Sequence, residues 1–254
     1  MRIAVISDTH SNAIAFKEVI KDINCQSPDA IVCLGDIVMR GPQPAECVDL
    51  LHSLDALAIV RGNYEHMFTR FPPTPIWKPQ NFKEGLKLRA YEYDMVRLST
   101  EDQDWLANLP TEHVLNIEQT QIELFHASPD SLSKVTYPWA SLDDLDKMHQ
   151  NENTNVILYG HIHHAFVRQA MGRLVVNCGS VGLPFDRDNR ASYAIVDIEN
   201  GNIAVQLRRV SYDIEKVIKI AKDRSYPDIE CFEYGVRKAI YPYFEEVKIT
   251  GKQS

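Results

Sequence analysis

The segment "LYGHIHHAF", residues 158–166, puts His161, His163 and His164 on one turn directly behind a glycine. The whole chain has nine histidines, so three within four positions need an explanation. Either the turn is polar and wet, or the imidazoles converge on something. Other residues with the same chemistry stand in short polar clusters. "SDTH" supplies Asp8 and His10, "GDIVMRGP" supplies Asp36, "RGNYEH" supplies Asn63, and "FHASP" supplies His126. Carboxylates, imidazoles and one amide oxygen form a hard-to-borderline donor set, suited to Mn, Fe or Zn rather than to Ca or a thiolate-seeking metal. The set Asp8, His10, Asp36, Asn63, His126, His161 and His163 exceeds what one ion takes from protein, so two divalent or trivalent ions are expected. One carboxylate must then bridge, and Asp36 is the candidate because it ends the central strand of the first half. Two cations about 3.5–4 Å apart clamp the attacking and leaving oxygens of an in-line phosphoryl displacement, and they lower the pKa of a shared water.

Such a set works only if the fold gathers it. "RIAVISD", "DAIVCLGD" and "ALAIVRGN" are short β-branched runs that read as buried strands. Between them, "NAIAFKEVIKDIN" and "PAECVDLLHSL" carry apolar residues at helical spacing. Asn12 is placed to cap the first helix, and Pro44 falls in the first turn of the second. Strand–helix alternation predicts parallel βαβ units with right-handed crossovers. Ligands of open α/β sheets bind beyond the carboxyl ends of the strands. Asp8, His10, Asp36 and Asn63 should therefore be neighbours in space.

Residues of about 66–110 change character. "RFPPTPIWKPQNF" is proline-rich and aromatic, and the stretch that follows reads as two helices, the second capped by Ser99 or Thr100. This is expected to be an insertion that either overhangs the strand ends or simply packs. "HVLNIEQTQIELF" reads as a hairpin, and the strands after "NVILYG" read as an antiparallel meander. One helix is expected over "YDIEKVIKIAKDRS". With no repeat or linker, the expectation is a single domain over residues 1–254, with two packed sheets and helices outside.

Composition bounds the function. The 254 residues are 44% hydrophobic and 24% charged, ordinary for a globular protein with a real core. A net charge of −8 with no basic stretch argues against a nucleic-acid duplex as partner. Five scattered cysteines without a CxxC pair fit reduced thiols in a cytoplasmic protein. No apolar stretch reaches the roughly 18 residues of a membrane helix. The apolar run at the N-terminus is too short for a signal peptide, so a cytoplasmic location with no membrane contact is expected.

Taken in order, "DTH", "GDIVMRGP", "GNYE", "HASP" and "GHIH" resemble the calcineurin-like metallophosphoesterase superfamily. "NCGSVGLPFDRDNRASYAIVD" is similar to the tail of its small bacterial phosphodiesterases and diadenosine tetraphosphatases. The resemblance implies a four-layer α/β/β/α sandwich of two mixed sheets. It implies one metal on Asp8, His10, Asp36 and His163, and another on Asp36, Asn63, His126 and His161. It further implies in-line attack by a metal-bridging hydroxide, with Asn63 and the metals stabilising the developing charge. His164 has no counterpart in the motif and is expected to face solvent or core.

One departure matters. Many family members carry a histidine after the "GN" that protonates the leaving group. Tyr64 stands there in this chain, and a phenol with a reference pKa near 10 is the weaker acid at neutral pH. His66, two residues on, is a candidate replacement. An alkoxide leaving group needs that proton most. The expected substrate is therefore a small nucleotide-type molecule with a phosphodiester or phosphoanhydride bond, such as a dinucleoside polyphosphate. A phosphomonoesterase, a protein phosphatase and a non-catalytic scaffold of the same fold are the alternatives. Arg40 or Arg190 is expected to hold a distal phosphate, since guanidinium binds phosphate bidentately, with Arg61 and Arg187 also nearby. Trp77, Phe82, Tyr91, Tyr93, Tyr137 and Trp139 either stack a nucleobase or pack in the core.

Overall fold

A computed structural model describes residues 1–70 and 78–242. Its first half follows the alternation in the sequence: β1 (Arg2–Ile6), α1 (Ala13–Gln26), β2 (Ala30–Cys33), α2 (Pro44–His52) and β3 (Ala58–Ile59). β1, β2 and β3 pair in parallel. Alternate residues of β1 serve two interfaces. Ala4 and Ile6 pack under the helices with Phe16, Val19 and Val48, while Ile3 and Val5 face the second sheet. Burial on both faces explains why the strand reads as a continuous apolar run rather than an alternating one. Asn12 Oδ1 accepts the Ala15 N–H at 3.1 Å and caps α1, and Pro44 opens α2.

A 3-10 turn (Glu65–Arg70) then leads to α3 (Phe82–Met95) and α4 (Thr100–Asn108). Ser99 caps α4 in a reciprocal box with Asp102. Ala90, Tyr91, Leu98 and Leu106 of this segment join the core that α1 and α2 form with the first sheet.

The second sheet has the order β4 (Glu112–Ile117), β5 (Thr120–Phe125), β6 (Thr154–Tyr159), β8 (Arg173–Asn177), β7 (Phe166–Ala170). β5, β6 and β8 run parallel, and β4 and β7 close the two edges antiparallel. β9 (Ala191–Glu199) returns to the first sheet beside β1, with β10 (Asn202–Val210) at the edge. The expected meander is therefore split between two sheets. The edge strands β7 and β10 keep a solvent face, whereas β6 and β8 are buried on both faces and carry their hydrophobes into two separate cores. Val156, Leu158 and Val176 meet Ile3, Val5, Val32 and Leu34 between the sheets. Ile157, Tyr159 and Val175 face outward to Leu145 of the short helix α5 (Leu142–Asp146) and to Met148.

The result is the expected pair of mixed sheets with helices outside, although the layer over the second sheet is thin. After α6 (Ile214–Asp223) comes a helix that the sequence reading did not anticipate, α7 (Ile229–Lys238). It buries Phe232 and Val236 with Leu183 and Phe185. The five cysteines are free thiols. Among the described residues, no helix is long and apolar enough to cross a membrane.

Candidate metal centre and cleft

The polar residues sit in the loops just beyond β1, β2, β3, β5 and β6. Those loops are stitched to one another. The N–H groups of Asp8 and His10 donate to the carbonyls of Gly35 and Asp36 at 2.9 and 3.1 Å, and Gly160 donates to His126 at 2.9 Å. The motif glycines are required by this closeness. A Cβ on Gly62 would collide with the Asp36 carboxylate and backbone, and one on Gly160 would stand 2.7 Å from Asp8 Oδ2.

Two groups of donors result, Asp8 with His10 and His163, and Asp36 with His126 and His161. His163 Nε2 lies 3.1 Å from Asp8 Oδ1 and 3.1 Å from His10 Nε2. His126 Nε2 lies 3.3 Å from both Asp36 Oδ2 and Asn63 Oδ1. Asp36 Oδ2 is also 3.7 Å from His10 Nε2, so one carboxylate oxygen touches both groups. An ion with ligands at about 2.0–2.1 Å has neighbouring ligands roughly 3.0–3.4 Å apart, and most of these separations fall in that range.

Three further observations fit a cation. Asp8 Oδ1 is buried and accepts no hydrogen bond, while Asp8 Oδ2 accepts the His161 N–H at 3.0 Å. The Nδ1 atoms of His10, His126 and His163 face the carbonyls of Met39, Leu34 and Leu183, which orients each Nε2 inward. That is how metal-binding imidazoles are held. Finally, Asp8, His10, Asp36, His161 and His163 all adopt positive φ, between 45° and 67°. Each such non-glycine conformation costs of order 1 kcal/mol or more, and it persists only where the surroundings enforce it.

Electrostatics agree. Burial drives His10 down to about 3, with His163 adding to the effect, and drives His161 down to about 4, with His126 adding. Both rings are therefore neutral and ready to donate a lone pair. Burial opposes the charge on His126 too, but the Asp36 carboxylate outweighs it and raises the ring to about 10. Burial also opposes ionisation of Asp8 and Asp36, yet the facing imidazoles hold both below the usual carboxylate range. Without an ion, the proton on His126 is what balances Asp36.

Behind Asp36 lies a further carboxylate, the glutamate of "GNYE". Glu65 is fully buried, and its carboxylate accepts the N–H groups of Asp36, Ile37, Val38 and Gly62 at 2.7–3.3 Å. Burial first, and then Asp36, raises it to about 7. Asp94, from α3, accepts the Met39 N–H at 2.7 Å. The "E" of "GNYE" was the available signal for Glu65. Asp94 gives none, because it reads as an ordinary helix-surface residue.

The centre opens into a cleft of about 720 Å³. Asp36, Asn63, His161 and His163 line it together with Arg40, Lys83, Lys87 and Arg187. Arg40 is buried against Tyr64, Phe185 and Tyr241, its guanidinium carbon 5.3–5.7 Å from each ring centre. Tyr64 stands edge-on to His10, with the Lys87 ammonium 5.4 Å from its ring centre. Burial, and then Lys83, lowers the pKa of Lys87.

Several expected residues lie elsewhere. Arg190 is half-exposed and held by Asp188 at 2.6 Å, outside the cleft, and Arg187 takes the wall instead. Its loop explains the exchange, because Arg187 at φ +69° is anchored by its N–H to the Ala239 carbonyl. His66, the candidate replacement acid, sits on the 3-10 turn near Thr69 and away from the cleft lining. Arg61 bonds the Ala107 carbonyl. Tyr91 and Tyr93 are core residues, and Trp77 lies outside the described residues. Tyr137 and Trp139 line the cleft, as does His164.

Residues 1–201 match the calcineurin-like phosphoesterase superfamily domain. An uncharacterized protein of Methanocaldococcus jannaschii is 32% identical over 238 residues, 87% of this chain and 93% of that one. A metallophosphoesterase from Sphaerobacter thermophilus superposes with a TM-score of 0.73 at 26% identity, over 94% of this chain and 100% of that chain. A hypothetical protein from Pyrococcus horikoshii shares the fold, with a TM-score of 0.78 at 21% identity over 93% and 99% of the two chains. The match begins at β1 and runs through the loops that carry all seven donors, so the chain belongs to the calcineurin-like phosphoesterase superfamily, as a metallophosphoesterase.

Proposed function

We propose that the protein is a dinuclear hydrolase of phosphodiester or phosphoanhydride bonds in a nucleotide-type substrate, of which a dinucleoside polyphosphate is an example. The observation that carries this reading is the cleft's composition. Four cationic side chains, Arg40, Lys83, Lys87 and Arg187, line the same cavity as the metal-site residues. In a chain of net charge −8, that concentration of positive charge marks a place for an anion. Its extent suits more than one phosphate.

When bound at the two donor groups, a metal pair supplies Lewis acidity and lowers the pKa of water. The chain's own residues do the rest. Asp36 ties the groups together through one oxygen. Asn63 stands at the mouth of the centre, where its amide can meet a phosphoryl oxygen. Arg40, fixed between aromatic rings, presents a planar fork matched to two phosphate oxygens. Tyr64 lines the cleft and holds the place in "GNYE" where the resembling motif carries the histidine that would protonate a leaving group. A phenol favours substrates whose leaving group departs unprotonated, such as a nucleotide phosphate, over alkyl monoesters.

The test is hydrolysis, with Mn²⁺ and with chelator, of bis-p-nitrophenyl phosphate, p-nitrophenyl phosphate, glycerol phosphate and diadenosine tetraphosphate. Chelator-sensitive cleavage of the diester or the dinucleotide, faster than of glycerol phosphate, is expected. A preference for the alkyl monoester would replace this reading with a phosphomonoesterase. Folded protein that turns over nothing with any metal would leave a scaffold.

A further inference from the structure

We propose that Tyr137, Trp139 and His164 form the platform on which the substrate's nucleobase stacks. The inference rests on the reading that the cleft takes a phosphorylated nucleotide, and it adds which side chains recognise the base.

The three rings form one cluster on the cleft wall. Tyr137 and Trp139 stack with centres 4.7 Å apart and planes 14° from parallel. His164 meets both edge-on, at 5.5 and 5.9 Å. Packing does not explain the indole, because Trp139 is 71% exposed. Tyr137 and His164 cover part of the ring, and the exposure leaves the rest of it to water. A large apolar ring in solvent is costly to keep unless something covers it.

The loop that carries it is also held unusually well. Arg168 on β7 donates to the carbonyls of Pro138 and Ala140, the residues on either side of Trp139. The Tyr159 hydroxyl donates to the Thr136 carbonyl at 2.6 Å, and the Ala140 N–H closes on Tyr137 at 2.9 Å. A fixed, solvent-facing aromatic loses little freedom on binding, which is what a pre-organised recognition surface requires. Every base has a π-face, so an aromatic shelf binds bases by stacking with little sequence demand.

Position completes the argument. His164 directly follows His163, so one turn carries both a metal-site donor and a member of the platform. Ser133, Val135 and both stacked rings line the same cleft as Asp36 and Asn63. The phosphates can therefore reach the metal centre and the cationic side chains while the base rests on Trp139.

The test uses Mn-loaded protein and two non-hydrolysable ligands, α,β-methylene-ADP and methylenediphosphonate, titrated by calorimetry. The wild type should bind the nucleotide analogue more tightly than the base-free one. Trp139→Ala should narrow that preference by about tenfold, and Trp139→Phe should keep most of it. Unchanged melting temperatures for both variants check the fold. Equal affinities in the wild type, no binding of the nucleotide analogue, or a preference that survives Trp139→Ala would overturn the platform. The outcomes separate from those of the hydrolase reading. A Trp139-dependent preference in a protein that hydrolyses nothing keeps the platform and removes the enzyme. Turnover with a flat preference does the reverse.

Discussion

The backbone N–H of Tyr64 donates to Asp36 Oδ1 at 3.0 Å, which commits one oxygen of that carboxylate to the protein and turns the other toward the imidazoles. The division of labour makes Asp36 hard to replace. In Asp36→Asn, the amide oxygen can keep the Tyr64 contact, but the NH₂ that then faces His10 and His126 has no lone pair to give. Metal-dependent turnover should fall by more than the roughly 10–100-fold that loss of a supporting residue costs. Metal analysis of the purified variant should show less than the wild-type content. Full turnover and full metal content would remove Asp36 as the bridge.

Metal binding should be visible without activity. Five of the candidate donors, Asp8, His10, Asp36, His126 and His163, are no more than 1% exposed, and an ion bound among them would stabilise their convergence, since the unfolded chain could not hold it in place. Added Mn²⁺ should raise the melting temperature, and His163→Ala should reduce that rise. The rise should also be larger at pH 9 than at pH 7. His126, raised to about 10, carries a proton that the metal must displace, so apparent affinity climbs with pH. A shift independent of pH would contradict the protonated Asp36–His126 pair.

The cationic wall should discriminate by phosphate number. Charge-assisted contacts are each worth about 1.5–3 kcal/mol, so Arg40→Met or Lys87→Met should raise KM for diadenosine tetraphosphate about tenfold or more. The effect on bis-p-nitrophenyl phosphate, with one phosphorus, should be smaller. Equal effects on both substrates would place these residues at the reacting phosphate instead.

Asp94 links stability to pH. Burial raises its pKa well above 3.8, outweighing the Met39 N–H it accepts. A group raised in the folded state contributes stability that is complete below its unfolded pKa and is lost as pH rises through the folded value. Asp94→Asn keeps an acceptor for Met39 and has no proton to lose. In urea denaturation, the variant should therefore gain on the wild type as pH rises above the usual carboxylate range. A stability difference that does not change with pH above that range would show that Asp94 is not held protonated by its burial.

The clustering of the seven donors was legible because strand ends carry them, and strand order is coded in local apolar runs. What was missed comes from packing between distant segments. Lys83, Lys87 and Asp94 belong to α3, whose sequence marks a helix but not the side it turns to the centre. α7 does carry an apolar face in its sequence, with Ile229, Phe232 and Val236 at helical spacing, and that face packs on Leu183 and Phe185. Arg190 looked as suitable for phosphate as Arg187, and only the neighbouring Asp188 and the strap to Ala239 distinguish them. Trp139 was ambiguous because exposure is set by the turn that Arg168 holds, 28 residues away from Ala140.

β1 lies at the middle of its sheet and pairs on one side with β9, Arg2 facing Asp197. During synthesis the first strand leaves the ribosome with its neighbour still unmade. At about 5–20 residues per second, β9 follows roughly 10–40 s later. Asp8 and His10, just past β1, wait out that interval beside an unfilled sheet edge, and the last donors, His161 and His163, arrive only shortly before the gap closes. The centre is thus among the final parts of the molecule to be assembled, and a nascent chain cut short before β9 would carry all seven donors without the strand that completes their frame.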